Sequence, residues 1–378
     1  MVSLRIALLA LAGFCSAPGW AAAQEVKMSS DVFDLSSARK YEFRDVAGRP
    51  ALCLDGVALL RGLSINDGSV TVDVAASRDR QFGGIAFRAQ DALSYEEAYL
   101  RLHKSRQPDA VQYAPVLNGE GHWQLFGGHQ ISVDFGSYDW ITLRVEFALD
   151  RATVTVFGAD EAELRINDLV LDETGKRAGL SSIGGACFSN LRVSDQSSYP
   201  RERLAAPADA QTGTISEWVL SPASNFAGFP ARAPEQASDW TPARTERDGL
   251  LLISRYRTKQ VKEGGGSNSE TVVYAATTVQ SPEDTLAVVE FDASDKARVY
   301  LNGGPLAEFD NTFRAKGPTF RGDFGAERQR VFLPLKAGDN EFVLAVADSG
   351  NGWGLKARMI SDVPPQSRAS ETTVRVKN

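Results

Sequence analysis

Ala98-Tyr99-Leu100-Arg101-Leu102-His103 alternates apolar and polar residues without a break, and its reading decides the fold. Successive side chains of a strand point to opposite faces. Ala98, Leu100 and Leu102 are therefore expected on a core, and Tyr99, Arg101 and His103 on a polar surface. Neighbouring segments repeat the pattern: Arg88 follows Phe87, Gln112 follows Val111, and Arg144 and Glu146 stand between Leu143, Val145 and Phe147. Set side by side, these strands predict one sheet with Arg, His, Gln, Tyr and Glu on its outward face. Such a face suits sugar hydroxyls. It is equally the face of an ordinary solvated sheet, and both readings stand at this point.

The same period of two recurs at Ser69–Ala75, Gly84–Ala89, Trp140–Phe147 and Ala152–Phe157. Turn signals such as Asn66-Asp67-Gly68, Asn118-Gly119 and Gly127-Gly128 separate these runs. A Pro/Ala-rich polar stretch at 199–212 reads as a linker. Strands resume beyond it at Trp218–Leu220, Leu250–Tyr256, Thr271–Thr278, Thr285–Phe291, Ala297–Leu301, Arg330–Leu335, Glu341–Ala347 and Trp353–Ile360. Many short strands with no helical segments between them predict an all-β protein of two tandem antiparallel β-sandwiches. The expected domains are 24–198 and 213–362, with a flexible tail at 363–378. The Gly264-Gly265-Gly266 segment and the loop from Asp310 to Gly325 are expected to be flexible.

The first 23 residues read as a cleaved signal peptide. Arg5 gives a charged start, Ile6–Ala12 an apolar stretch, and Ala21-Ala22-Ala23 a cleavage site before Gln24. Phe14 before Cys15 suits a lipid-anchor signal poorly, because that position normally takes a small residue. The expectation is an exported chain, periplasmic or secreted, with no integral membrane segment. The net charge is −7, and no Lys/Arg cluster supplies the basic footprint a nucleic-acid partner requires. Outside the signal two cysteines remain, Cys53 and Cys187, either paired in an oxidising compartment or both buried as thiols.

The first half resembles the concanavalin A-like lectin/glucanase superfamily, in its laminin G-like and keto-disaccharide-hydrolase-like branches. The residues carrying the resemblance are Asp67–Val74, Gly83–Arg88, Tyr99–His103, Trp140–Glu146 and Phe188–Val193. In such a domain the closing strand returns beside the opening strands. That implies a Cys53–Cys187 disulfide. The second half resembles the galactose-binding-like jelly roll through Asp295–Gly303, Leu333–Glu341 and Gly352–Leu355. No cofactor is assigned, and since both superfamilies often hold calcium, a calcium site stays open.

For a sugar, the ligand-binding candidates are Arg88, Tyr99, Arg101, His103, Gln112, Gln124 and Arg144, with Trp123 either a platform or a core residue. An aromatic ring offers an apolar plate, and the polar groups fix hydroxyls by directional hydrogen bonds. For glycoside hydrolysis two carboxylates must flank a sugar ring. Glu97 and Glu146, with His103, are the acid–base candidates, although the superfamily's E-x-D-x-x-E pattern is absent. The three histidines, His103, His122 and His129, follow no metal-ligand spacing. They are expected as one hydrogen-bonded residue and two exposed loop residues, so no metal site is assigned. The leading reading is an exported carbohydrate- or glycoconjugate-binding protein. A sugar-cleaving enzyme and a structural or adhesion protein are the alternatives.

Overall fold

A computed structural model describes residues 23–172, 174–199, 211–259, 270–325 and 328–360. The segment expected as a signal peptide up to residue 22, most of the expected linker, the triple-glycine segment and the residues from 361 onward lie outside the described residues.

The first half is an antiparallel sheet that curls over on itself. Its strand order is Gln130–Ile131, Val111–Leu117, Tyr95–Arg101, Phe82–Ala89, Arg177–Ser194, Gly68–Ala75, Trp140–Ala148, Arg151–Phe157, Glu161–Ile166. The 18-residue strand Arg177–Ser194 turns the corner. Its Gly179–Ile183 stretch pairs with Phe82–Ala86, whereas Phe188–Ser194 pairs with Ser69–Val74. Between them the register shifts at Ser182/Ala186, where Gly184 and Gly185 take φ of +87°. Side-chain-free residues adopt that conformation without strain, so the bulge redirects the strand from one layer to the other. Phe33, Leu54, Val72, Phe87, Leu100, Phe147, Val154, Leu180 and Phe188 fill the space between layers and are fully buried. Each such side chain contributes roughly 1.5–3 kcal/mol by leaving water.

Cys53 and Cys187 are directly opposed in the Arg49–Leu60 and Arg177–Ser194 pairing, and their sulfurs are bonded.

The second half packs two sheets face to face. One runs Thr241–Arg244, Glu217–Leu220, Thr271–Ser281, Gly338–Asp348, Lys296–Leu301, Gly304–Asp310, with Ser224–Asn225 beside Thr271–Ser281. The other runs Leu250–Leu252, Gly354–Ile360, Thr285–Ala293, Gln329–Leu335. Trp218, Phe291, Leu333, Phe342, Leu344 and Trp353 lie between them. The chain is thus all-β, in two tandem antiparallel sandwiches.

Two local expectations are corrected. Strand pairing stops at Arg101, opposite Phe82, because the next strand begins opposite Leu100. Leu102–Lys104 then turn as a short 3-10 helix, so His103 lies off the strand. The run expected from Leu250 to Tyr256 is a strand only to Leu252. Ile253–Tyr256 form one helical turn, and Arg257 folds back onto the carbonyls of Leu220 and Ser221.

Candidate functional site

Tyr99, Arg101 and Gln112 do share the outward face of their sheet. Tyr99 lies opposite Gln112 in register, and its hydroxyl donates to Gln112 Oε1 at 3.2 Å. Arg101 Nη2 donates to the Tyr99 hydroxyl at 3.2 Å and to Gln112 Oε1 at 2.5 Å. Arg101 also pairs with Asp109. This face is not open. The segment expected as a flexible loop, from Asp310 to Gly325, reaches across from the second sandwich and lies on it. Arg321 pairs with Asp109, donates to Gln130 Oε1 at 3.2 Å, and accepts Gln124 Nε2 at 2.6 Å on its own carbonyl. Both guanidiniums lie against Trp123, with Arg101 and Arg321 Cζ 5.3 and 5.1 Å from its ring centroid. Its Nε1 donates to Asn351 Oδ1 at 2.9 Å. Trp123 is therefore neither core nor platform; it is a wedge between sandwiches. Arg101, Gln112 and Gln124 are all buried.

Burial acts against charge on Asp109. Lys104, Arg101 and Arg321 together outweigh it and hold the carboxyl at about 2. Three cations on one anion make this contact a charge-assisted clamp.

The other sequence candidates lie elsewhere. Arg88 is buried and lines a separate cleft of about 620 Å³, bounded by Leu149–Asp150, Asp168–Asp172 and Glu246–Arg247. Arg144 donates to Glu146 at 2.9 Å on the opposite layer. Three strands separate Glu146 from Glu97, and the two carboxylates do not converge. Glu97 is pushed up to about 7 by burial, in part offset by the nearby Ser181 hydroxyl. His103 stacks edge-on to Phe82 at 5.5 Å. His122, expected to be exposed, is fully buried with Nδ1 3.2 Å from the Pro115 carbonyl oxygen. His129 is half-buried.

Sequence reasoning missed the open polar surface, which is the outer face of the four-stranded sheet. In Thr285–Ala293 the residues facing away from the core are Leu286, Val288, Glu290 and Asp292. Glu290 lies opposite Arg330 on one side and Arg358 on the other, and Asp292 lies opposite Lys356. Arg358 Nε, Arg330 Nε and Arg328 Nη1 donate to the Glu290 carboxylate at 2.8, 3.0 and 3.2 Å. Burial tends to raise Glu290, but these three donors more than reverse it and its pKa is lowered. Asp292 differs. Burial lifts it to about 6, moderated by the N–H groups of Gly325 and Ala293. One row further out, Val288 lies between Ile360 and Phe332, and Phe332 is 64% exposed, as is Leu286 at 62%.

The first sandwich supplies the wall. Leu250 and Leu252, on the edge strand of this sheet, pack into the first sandwich's core cluster. Leu125 lies on Gly354, where a Cβ would meet the Leu251 carbonyl oxygen and Leu125 Cδ1, both at 2.9 Å, so the backbone contact requires glycine there. The result is an interdomain cleft of about 420 Å³, floored by Glu290, Asp292, Lys356 and Arg358 and walled by Phe126, His129 and Phe324. The alternation in Thr285–Ala293 is the signal that would have found it.

Calcium takes six to eight oxygen ligands, usually several of them carboxylates. Among the described residues no group of three or more His, Cys, Asp or Glu is arranged to hold a metal ion. Among them, too, no helix is long and apolar enough to cross a membrane.

No known protein family and no curated protein matches this sequence. Among solved structures the chain is similar to a carbohydrate-binding module from Bacillus subtilis. Identity is 17%, covering 41% of this chain and 91% of that one, with a TM-score of 0.32. It is similar also to the exoplasmic/lumenal domain of VIP36 in its Ca2+/Man3GlcNAc-bound form, at 10% identity over 47% of this chain and 85% of that one, TM-score 0.30. A third likeness is to domains LG4-5 of the mouse laminin alpha1 chain, at 12% identity over 93% and 90%, TM-score 0.24. At these scores, the assignment of two sandwiches rests on the chain's own strand pairing.

Proposed function

We propose that this chain is an exported glycan- or glycoconjugate-binding protein whose binding surface is the outer face of the four-stranded sheet and the interdomain cleft at its end. The observation that carries the reading is the row Arg358–Glu290–Arg330 beside the exposed ring of Phe332. A flat apolar ring next to fixed, charged hydrogen-bonding groups is what a pyranose, with one apolar face and a rim of hydroxyls, requires. The guanidiniums are already oriented by Glu290, so binding does not have to order them. The signal-like first 23 residues and the Cys53–Cys187 bond support export.

The earlier candidate face, with Tyr99, Arg101 and Gln112, is occupied by the Arg321 segment; using it for a ligand requires the sandwiches to part. A glycan-array screen of the chain from Gln24, alongside Phe332→Ala and Arg101→Ala variants, tests the reading. Selective binding lost in Phe332→Ala and kept in Arg101→Ala supports it. The reverse result moves the site to the first sandwich, and no binding to any glycan overturns the function.

A further inference from the structure

Where the two sandwiches meet, Lys259 is enclosed with two carboxylates. Its side chain is 3% exposed, and its ammonium pairs with both Glu120 of the first sandwich and Asp348 of the second. Asp348 is fully buried at the end of Gly338–Asp348, and among the described residues its Oδ2 has no hydrogen-bond partner. Trp353, also fully buried, covers the amine, with Nζ 5.5 Å from its ring centroid. Glu120 is held in place by donors at both oxygens: Gly352 N–H at 3.3 Å on Oε1 and the Ser254 hydroxyl at 3.4 Å on Oε2.

A buried ion pair is costly unless every lone pair is satisfied, and here one carboxylate oxygen is not. Burial holds the Asp348 carboxyl well above the usual range, with the nearby Asp295 acting in the same direction. Burial also disfavours the ammonium, although the two carboxylates keep Lys259 above its ordinary value. Moving one proton from Lys259 to Asp348 leaves the triad's net charge at one negative and creates a neutral amine against a neutral acid. Those are the reactants of an amide condensation, held in contact in a dry site.

We propose that Lys259 and Asp348 form an intramolecular isopeptide bond, with Glu120 as the catalytic residue. Lys259 Nζ attacks Asp348 Cγ, and the carbonyl π pair moves onto oxygen. Glu120 takes the surplus proton from nitrogen and delivers it to the hydroxyl of the tetrahedral carbon. When the carbonyl re-forms, that C–O bond breaks and one water leaves. Glu120 returns to carboxylate, and the new amide carries no charge. No oxidant or cofactor enters, and the product removes both charges that the site had to bury. The bond would tie residues 89 apart and anchor the segment that follows the Ile253–Tyr256 turn to the central strand of the second sandwich.

The test is peptide mapping by mass spectrometry of the reduced, denatured full chain. The expected result is a branched peptide joining Lys259 to Asp348, lighter by one water than the sum of its parts. In Glu120→Gln the two peptides are expected apart, each at its full mass. Separate Lys259 and Asp348 peptides in the unaltered protein overturn the proposal, whatever the variant does. A branched peptide that persists in Glu120→Gln removes Glu120 from the catalytic role.

Discussion

Asp109 of the first sandwich and Arg321 of the second are paired in the middle of the polar surface made by Tyr99, Arg101 and Gln112. A face that reads in sequence as a place for a ligand is filled by the chain's own loop. The chemistry that suited a sugar, guanidiniums beside an indole with amide and carboxylate partners, here joins two domains.

Removing the cation tests this clamp. Arg321→Ala leaves Asp109 with Arg101 and Lys104, and Arg321 itself is partly exposed. The expected loss is therefore below that for a fully buried pair, about 1–2 kcal/mol. Urea denaturation measures it, and small-angle scattering is expected to show a larger radius. An unchanged radius and stability would mean the apolar contacts at Leu125, Leu250 and Leu252 hold the sandwiches together unaided.

The same clamp has a defined pH window. Asp109 is depressed to about 2 in the folded chain, so its contribution is present above the ordinary carboxylate value of about 4 and lost as pH falls through about 2. Scattering at about pH 4 should match that at neutral pH, with expansion only at stronger acidity. Opening already near pH 5 would contradict the assignment.

Glu97 works in the opposite sense. Its folded value is raised to about 7, so folding favours the protonated form and stability declines as pH rises from about 4 through 7. Glu97→Gln, which cannot ionise, is expected to raise stability at pH 8 by roughly 1–2 kcal/mol and to change little at pH 5. Equal effects at both values would show that the gain is packing and not charge.

Gly352 is a geometric key of the interface. Its φ is +128°, and a Cβ there would meet His122 Cα at 3.1 Å and Leu125 Cγ at 2.9 Å. Gly352→Ala is expected to cost about 2 kcal/mol, through backbone strain and displacement of the first sandwich's segment. A melt within a degree of the parent protein would disprove that.

Breaking the disulfide should be costlier. Cys53 and Cys187 are separated by 134 residues, so their bond constrains a long loop of the unfolded chain. Cys53→Ser/Cys187→Ser is expected to lower stability by roughly 2–5 kcal/mol. Comparison with the reduced parent by denaturation separates the bond's effect from that of the substitutions.

At the proposed glycan surface, Phe332→Ala should weaken binding about tenfold, equivalent to about 1.4 kcal/mol of lost ring contact, with no change in fold. Isothermal titration against the best array ligand reads it directly.

Local alternation by itself determined many of the strands, because a period of two depends only on neighbours along the chain; Ala38–Val46, Arg49–Leu60 and Glu161–Ile166 were not read from it. Ser69–Ala75, Trp140–Phe147 and Arg330–Leu335 were legible to within a residue or two of their ends for that reason. It also determined that Tyr99, Arg101 and Gln112 share a face. What lies on that face is another matter. The docking of Arg321 on Asp109, the enclosure of Lys259 between Glu120 and Asp348, and the cleft beside Glu290 each join residues from the two halves of the chain. Burial, and with it the pKa of Asp109, Lys259, Asp348 and Glu290, depends on what packs against a surface. Only the tertiary structure decides that.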